Sequence, residues 1–344
     1  MHGEYWLLPL LQRWSSSIVG KSKMVEKDHY GSIFHEQRDL YAGKSVVPLD
    51  PARVLRLFGE DRFKILHAIS TQDYTQPMIS TETLFLNSQG RVINRACVVA
   101  AQECAWLFCD SGKLAGQLAE YLLSMRFTLK FDIEPVKELF FYAGFCDPPE
   151  RLAEWQDPWP NICPGGYSYA PTDLEQPPWG IKFFLCRTQL SGPFSGTHAL
   201  LAGLIAAGRP SMREVDELSL PHELGWLRTA VHLTKGCYRG QELVAKLHNL
   251  GRPPRRMVRL MLDGQLPMPD AVILCDGKRV GRVTSVANHW ELGPIALGVV
   301  KRSVPEGKVL LVDSEQGPIS ALVETLVSPD SGSVASVPRM KRLT

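Results

Sequence analysis

At 344 residues, with 44% hydrophobic and 22% charged residues, the chain is long enough for two or three structural units and a sizeable core. Its formal charge of +2 gives no global attraction to nucleic acid or to a membrane surface. No apolar run reaches the roughly 18–20 residues needed to cross a bilayer.

Residues 1–24 are basic, contain serines and carry Glu4 as their one acid. Their apolar stretch is short and broken by Pro9, which argues against a secretory signal. The composition could pass for a weak organelle transit sequence; the expectation is a disordered extension and a cytoplasmic protein. From Val46 to Val136 strand and helix signals alternate. Ser45–Val47 and Val54–Phe58 read as strands, and Glu60–Ile69, with acids at its start, as a short helix. Thr83–Leu86, Val92–Val99 and Ala105–Cys109 read as a meander, followed by a helix over Lys113–Met125 and a strand over Leu129–Ile133. Residues 145–180 are dense in Pro, Trp and Gly and read as a long surface connection with aromatic anchors. Ile181–Cys186 resumes as a strand, and Ser195–Ala207 as a helix. After Gly251 the pattern changes to six short branched runs, at 257–262, 271–275, 279–286, 295–300, 309–312 and 319–326, with a hairpin turn at Asp276-Gly277. The expected class is α+β: a body of mixed sheets and helices over 25–251, a small β-barrel over 252–327 and a disordered tail over 328–344.

The eight cysteines, at 97, 104, 109, 146, 163, 186, 237 and 275, are scattered and form no Cys-x-x-Cys pair. They read as free thiols in a reducing compartment, with no metal-ligand spacing. Cys237 stands apart, lying in Lys235-Gly236-Cys237-Tyr238-Arg239-Gly240-Gln241-Glu242. Neighbouring cations lower the cost of forming a thiolate, and the flanking glycines permit a tight turn or close approach. Lys235, Arg239, Lys246, Arg252, Arg255, Arg256 and Arg259 form a local basic cluster suited to an anionic small molecule, a solvated face or the phosphates of RNA. Aromatic residues interleaved with cations would favour RNA, but Tyr238 alone lies among them.

The octet resembles the signature of the YgfZ family of folate-binding proteins, relatives of the glycine-cleavage aminomethyltransferase and of a mitochondrial iron–sulfur assembly factor. The likeness extends to Leu220–Glu223, His248–Arg256 and Gly281–Ala287, and more loosely to Tyr30-Gly31, Glu36–Arg38 and Leu86–Arg91. In detail it looks like the bacterial branch. It implies a folate-binding aminomethyltransferase-like body followed by a β-barrel, with tetrahydrofolate in a central channel. Lys235, Cys237 and Tyr238 would lie at the channel mouth, with Arg239, Arg255 and Arg256 nearby. It also implies partners among iron–sulfur client or assembly proteins, and neither direct nucleic-acid binding nor a membrane.

The chain departs from the transferase pattern in two places. Where the aminomethyltransferase has an aspartate pair, this chain has Asn94 and Arg95, neither of which serves as a base at neutral pH. The pterin-binding glutamate aligns with Ala206, leaving Glu214, Asp216, Glu217 and Glu223 as candidate replacements. His222 reads as a structural turn residue, and Gln241-Glu242 as the start of a helix. The leading expectation is a tetrahydrofolate-binding protein that supports assembly or repair of iron–sulfur enzymes, with Cys237 as a functional thiol. The alternatives are a folate-dependent aminomethyl transferase and an RNA-interaction module on the 235–259 patch.

Overall fold

The computed structural model describes residues 26–76, 80–148, 150–171 and 179–332; the expected extension at 1–24 lies outside them. A five-stranded antiparallel sheet has the order β3-β4-β5-β2-β6, formed by β2 (Val54–Phe58), β3 (Ser80–Leu86), β4 (Val92–Ala100), β5 (Cys104–Phe108) and β6 (Asp132–Pro135). Its two faces follow the period of two expected of a pleated strand. Leu55, Leu57, Ala96, Val98 and Leu107 pack on one side with α2 (Arg62–Ile69) and α3 (Gly112–Ser124). Val54, Leu84, Cys97, Val99 and Trp106 face the other way. Helix α3 starts at Ser111, whose Oγ accepts the Leu114 N–H at 3.2 Å, and it buries Ala115, Leu118, Ala119 and Leu122. Each of those leucines contributes about 1.5–3 kcal/mol by burial.

A second antiparallel sheet, ordered β1-β7-β9-β8, lies against that inner face. It comprises β1 (Val46–Leu49), β7 (Phe140–Gly144), β8 (Ala153–Gln156) and β9 (Lys182–Cys186). Helices α1 (Ile33–Tyr41) and α4 (Thr197–Ala206) complete the body. β10 (Arg255–Leu262), β11 (Val272–Cys275), β12 (Lys278–His289), β13 (Gly293–Lys301), β14 (Val309–Val312) and β15 (Ile319–Thr325) close into a barrel, ordered β10-β13-β12-β11-β14-β15. The turn between β11 and β12 is the expected Asp276-Gly277, both with positive φ, at +49° and +73°.

Four expectations need correction. The strand placed at 129–133 is displaced to β6, because Phe127 adopts φ +41° and the Leu129 N–H closes a turn on the Arg126 carbonyl. The connection at 145–180 is not all surface: it contains β8, and Trp155, Trp159 and Trp179 are buried core residues. Helix α1 and strand β7 carried no clear period and were absent from the expected elements. The start of the tail is packed, with the Ser328 N–H and Ser331 Oγ donating to the Tyr169 carbonyl; residues 333–344 lie outside the described part.

The barrel is fixed to the body by polar side chains. Gln37 Nε2 donates to the Asn288 carbonyl, while Gln37 Oε1 accepts the Trp290 N–H. Buried Glu214 accepts from Thr284 and Ser285. Arg259 forks onto Glu324 and caps helix α4 at the Ala206 carbonyl. Glu36, also part of the family resemblance, accepts the Tyr30, Gly31 and Gly196 N–H groups and so ties the first described residues to the start of α4. No helix among the described residues is long and apolar enough to cross a membrane.

Candidate functional site

The octet forms a loop leading into α5 (Gln241–Leu250), as its polar Gln-Glu ending suggests. Two devices hold it. Lys235 is 6% exposed, and its Nζ donates to the carbonyls of His67 (2.5 Å), Ser70 (2.8 Å) and Gln72 (2.9 Å). It therefore sits as a cation at the C-terminal end of α2, where the helix dipole favours positive charge. Burial lowers its pKa to about 8, against the opposing pull of Asp73. The second device is Gly240, at φ +83°, where a Cβ would lie 2.6 Å from the Asn87 carbonyl oxygen and 2.8 Å from the Gly90 Cα. The β3–β4 turn, Asn87–Arg91, and the octet thus nest glycine against glycine. Gln241 Nε2 closes the loop on the Lys235 carbonyl at 2.9 Å.

Cys237 is presented outward from this platform. Of the eight free cysteines it alone is exposed. Burial pushes each of the other seven thiols up, Cys163 to about 11 and Cys97 to about 12. Tyr238 is 8% exposed and packs beneath the loop, with Lys235 Nζ 5.2 Å from its ring centre. Arg239 and Lys246 are exposed and form no ion pair with the described residues.

Of the other cations of the cluster, Arg252 pairs with exposed Asp330 at 3.2 Å, while Arg255, Arg256 and Arg259 point inward. Arg255 pairs with Asp216 and Glu223 through four hydrogen bonds of 2.7–3.1 Å. Arg256 is fully buried and donates to Thr325 Oγ1 and the carbonyls of Val304 and Val327. Both guanidiniums are spent on structural partners, so the expected contacts of Arg255 and Arg256 with an incoming anion are reassigned to fixing the barrel. Lys235 is likewise a positioning residue here, because its three donor positions face backbone carbonyls.

Between the two sheets lies a buried charge hub that sequence reasoning missed. Glu82, 0% exposed, accepts from Arg209 Nη2 at 2.7 Å and Thr229 Oγ1 at 2.6 Å, and lies 2.7 Å from Arg95 Nε. Burial pushes the Glu82 carboxyl up, but Arg209 and Arg95 outweigh it and hold it below the usual range. Arg209 also pairs with Asp157 at 2.9 Å, and Arg95 with Asp110 at 3.2 Å. Arg95, which stands where the transferase has an acid, is therefore a structural cation. Its neighbour Asn94 turns the other way and donates to the Leu114 carbonyl of α3. The hub connects to the octet: Gln72 Nε2 donates to the Thr229 carbonyl, and the Gln72 carbonyl receives Lys235.

A pterin ring held by a carboxylate does not fit these residues. Ala206 is 1% exposed and its carbonyl is capped by Arg259. Of the candidate replacement acids, Glu214, Asp216 and Glu223 are committed to the partners described above, and Glu217 is on the surface. The exposed cations Arg239 and Lys246 suit the carboxylate tail of such a ligand. His222 is fully buried, with Nε2 3.1 Å from the Val244 carbonyl, and burial lowers its pKa to about 3. It is the structural residue expected. A separate groove of about 570 Å³ at the outer edge of the sheets is lined by Arg56, Trp106, Lys137 and Arg187, and none of its residues belongs to the octet.

Comparison with known proteins agrees with this architecture. No family model matches the chain. The mitochondrial iron–sulfur cluster assembly factor IBA57 of Mus musculus is 25% identical over 316 residues, covering 82% of this chain and 84% of its own length. Its Homo sapiens counterpart is 26% identical over 281 residues, covering 68% and 72%. The glycine cleavage system aminomethyltransferase T of Bartonella henselae superposes with a TM-score of 0.64 at 17% identity, over 86% of this chain and 88% of its own. The chain is similar in sequence to the IBA57 factors and has an aminomethyltransferase-like fold. The family resemblance carried by the octet therefore stands, as does the α+β body closed by a barrel. These named assembly-factor relatives are mitochondrial proteins of eukaryotes, so they lend nothing to the bacterial character on which the cytoplasmic expectation rested.

Proposed function

We propose that this chain is an accessory factor in the assembly or repair of iron–sulfur enzymes, acting through Cys237. The observation that carries the proposal is the presentation of one exposed thiol, among eight, on a loop anchored by a buried ammonium and by a glycine–glycine contact. The assembly role of the IBA57 relatives supports it from outside the site. The thiol can accept a transferred group or ligate iron briefly, and the iron or cluster is then cargo, not a resident metal. Deleting the gene is expected to lower the specific activity of a [4Fe–4S] enzyme without changing the amount of that enzyme. Unchanged specific activity rejects the role.

Tetrahydrofolate enters this proposal as the ligand supported by the fold; the residue that the family resemblance aligns with the ring-contacting acid is Ala206, which is buried and has no carboxylate to offer. We take its affinity to rest on the carboxylate tail, so binding followed by calorimetry should weaken steeply with salt. Aminomethyl transfer is disfavoured because Arg95 and Glu82 neutralise each other in the hub. RNA binding is disfavoured because Arg255, Arg256 and Arg259 of the basic cluster are consumed internally. The cytoplasmic assignment remains part of the proposal, and a fluorescent fusion with and without residues 1–24 tests it against the organelle locations named for the relatives.

A further inference from the structure

Where the two sheets of the body part at their outer edge, they enclose the groove of about 570 Å³. Its floor is a row of cross-strand neighbours: Arg56 on β2 lies opposite Trp106 on β5 and Glu134 on β6. Residues paired in this way share one face of a sheet. Elsewhere that face is apolar core, at Val54, Val99 and Phe108. Charge is tolerated in this row because it opens to solvent: Arg56 and Glu134 pair at 3.1 Å with 37% and 49% of their side chains exposed. The facing wall comes from the β6–β7 connection and the second sheet, where Leu139 and Arg187 extend the Phe140–Cys186 pair of β7 and β9. Val136, Leu139 and Leu152 are half-buried against the core, so apolar surface continues from Trp106 into the groove.

The charges along the groove are unevenly spread. Lys137 and Arg187 are exposed and, unlike Arg56, form no ion pair with the described residues. Glu103, in the turn between β4 and β5, is the exposed acid of the lining that has no such pair. The register puts it at the opposite end of the strands from Lys137, since Cys104 pairs with Phe58 whereas the Val136 N–H bonds to the Val54 carbonyl. We propose that this groove binds a small monoanion with a flat apolar body. The body lies on Trp106, Val136 and Leu139, and the anionic group meets Lys137 and Arg187. A guanidinium fork suits a carboxylate, and Glu103 at the other end disfavours a second negative charge. The volume falls within the range of about 300–1,000 Å³ usual for small-molecule sites. No lining residue belongs to the octet, so the inference is independent of the role of Cys237.

The test uses the full chain labelled with 15N-tryptophan, which gives each of the eight indoles its own N–H signal. The Trp106 signal is assigned by its loss in Trp106→Phe. The probe is naphthalene-2-carboxylate, with the neutral naphthalene-2-carboxamide as control. The carboxylate is expected to shift the Trp106 signal saturably, with a Kd on the order of 1 mM. The carboxamide should bind about fivefold more weakly, and the double variant Lys137→Ala/Arg187→Ala should weaken the carboxylate by about the same factor while leaving the carboxamide unchanged. Both replaced side chains are exposed, and an unchanged melting temperature verifies that the variant is folded. Four results overturn the proposal: no saturable shift of Trp106 up to about 10 mM probe, shifts confined to other indoles, equal affinity for the two probes, or unchanged carboxylate affinity in the double variant.

Discussion

Replacing Glu82 by glutamine keeps the shape of the side chain and removes the charge at the centre of the hub. Arg209, 1% exposed, loses one of its two acid partners, and Arg95 one of two. Breaking a buried ion pair by removing one partner costs about 3–5 kcal/mol, because the remaining charge stays desolvated. Unfolding entropy of about 2 cal/mol/K per residue over about 300 ordered residues corresponds to roughly 0.6 kcal/mol/K, so the melting temperature should fall by about 5–8 °C at pH 7. The pH dependence follows from the held-down carboxyl. Its folded pKa lies below the unfolded value of 4.5, so its stabilisation is present above that pH and fades as pH falls through the folded value. Thermal melts followed by circular dichroism should therefore show a gap at pH 7 that narrows in acid. A variant melting within about 1 °C of wild type at pH 7 would refute the hub as a major stabiliser.

Lys235→Met leaves three carbonyls without their donor and should cost about 1–3 kcal/mol, with faster amide exchange at 234–240. Because the lysine pKa is lowered to about 8 in the fold from 10.5, wild-type stability measured against this variant should rise between those values and be flat below them, as urea titrations can check. Gly240→Ala forces a Cβ against the Asn87 carbonyl at positive φ; a loss of at least about 1–3 kcal/mol is expected in thermal melts. Arg255→Met should cost about 2–3 kcal/mol while leaving tetrahydrofolate affinity by calorimetry unchanged, since the guanidinium serves Asp216 and Glu223. That loss should shrink below about pH 4: burial of Asp216 is outweighed by Arg255, which holds its carboxyl down, so its contribution fades in acid.

Local pattern carried much of the fold. The apolar, branched run of β2, the meander strand β4, the helix α3 and the Asp276-Gly277 turn are short-range signals, and each appears where expected. Strand β8 was obscured because Pro and Trp around it suggested a loop, whereas Trp155 and Trp159 are buried by pairing and packing that no local rule contains. The octet was legible as a thiol in a tight, basic setting, yet the direction of its neighbouring cations was not. Arg255 and Arg256 alternate along a strand, one toward Asp216 and Glu223 and one into the barrel, and charge density alone could not separate them from ligand contacts. The hub left one visible trace: Glu82 shares a strand face with Leu84 and Leu86, as Arg95 does with Cys97 and Val99, and charges on an inward face imply buried partners. The approach of His67 to the octet depends on tertiary docking through Lys235 and leaves no such trace.

The central claim is that one exposed thiol carries the function. Its most direct measurement compares [4Fe–4S] enzyme activity in deletion cells carrying wild type, Cys237→Ser or, as a matched control, Cys146→Ser at a half-buried thiol. The account predicts restoration by wild type and by the Cys146 variant, and none by Cys237→Ser at equal protein level. Full restoration by Cys237→Ser would contradict it.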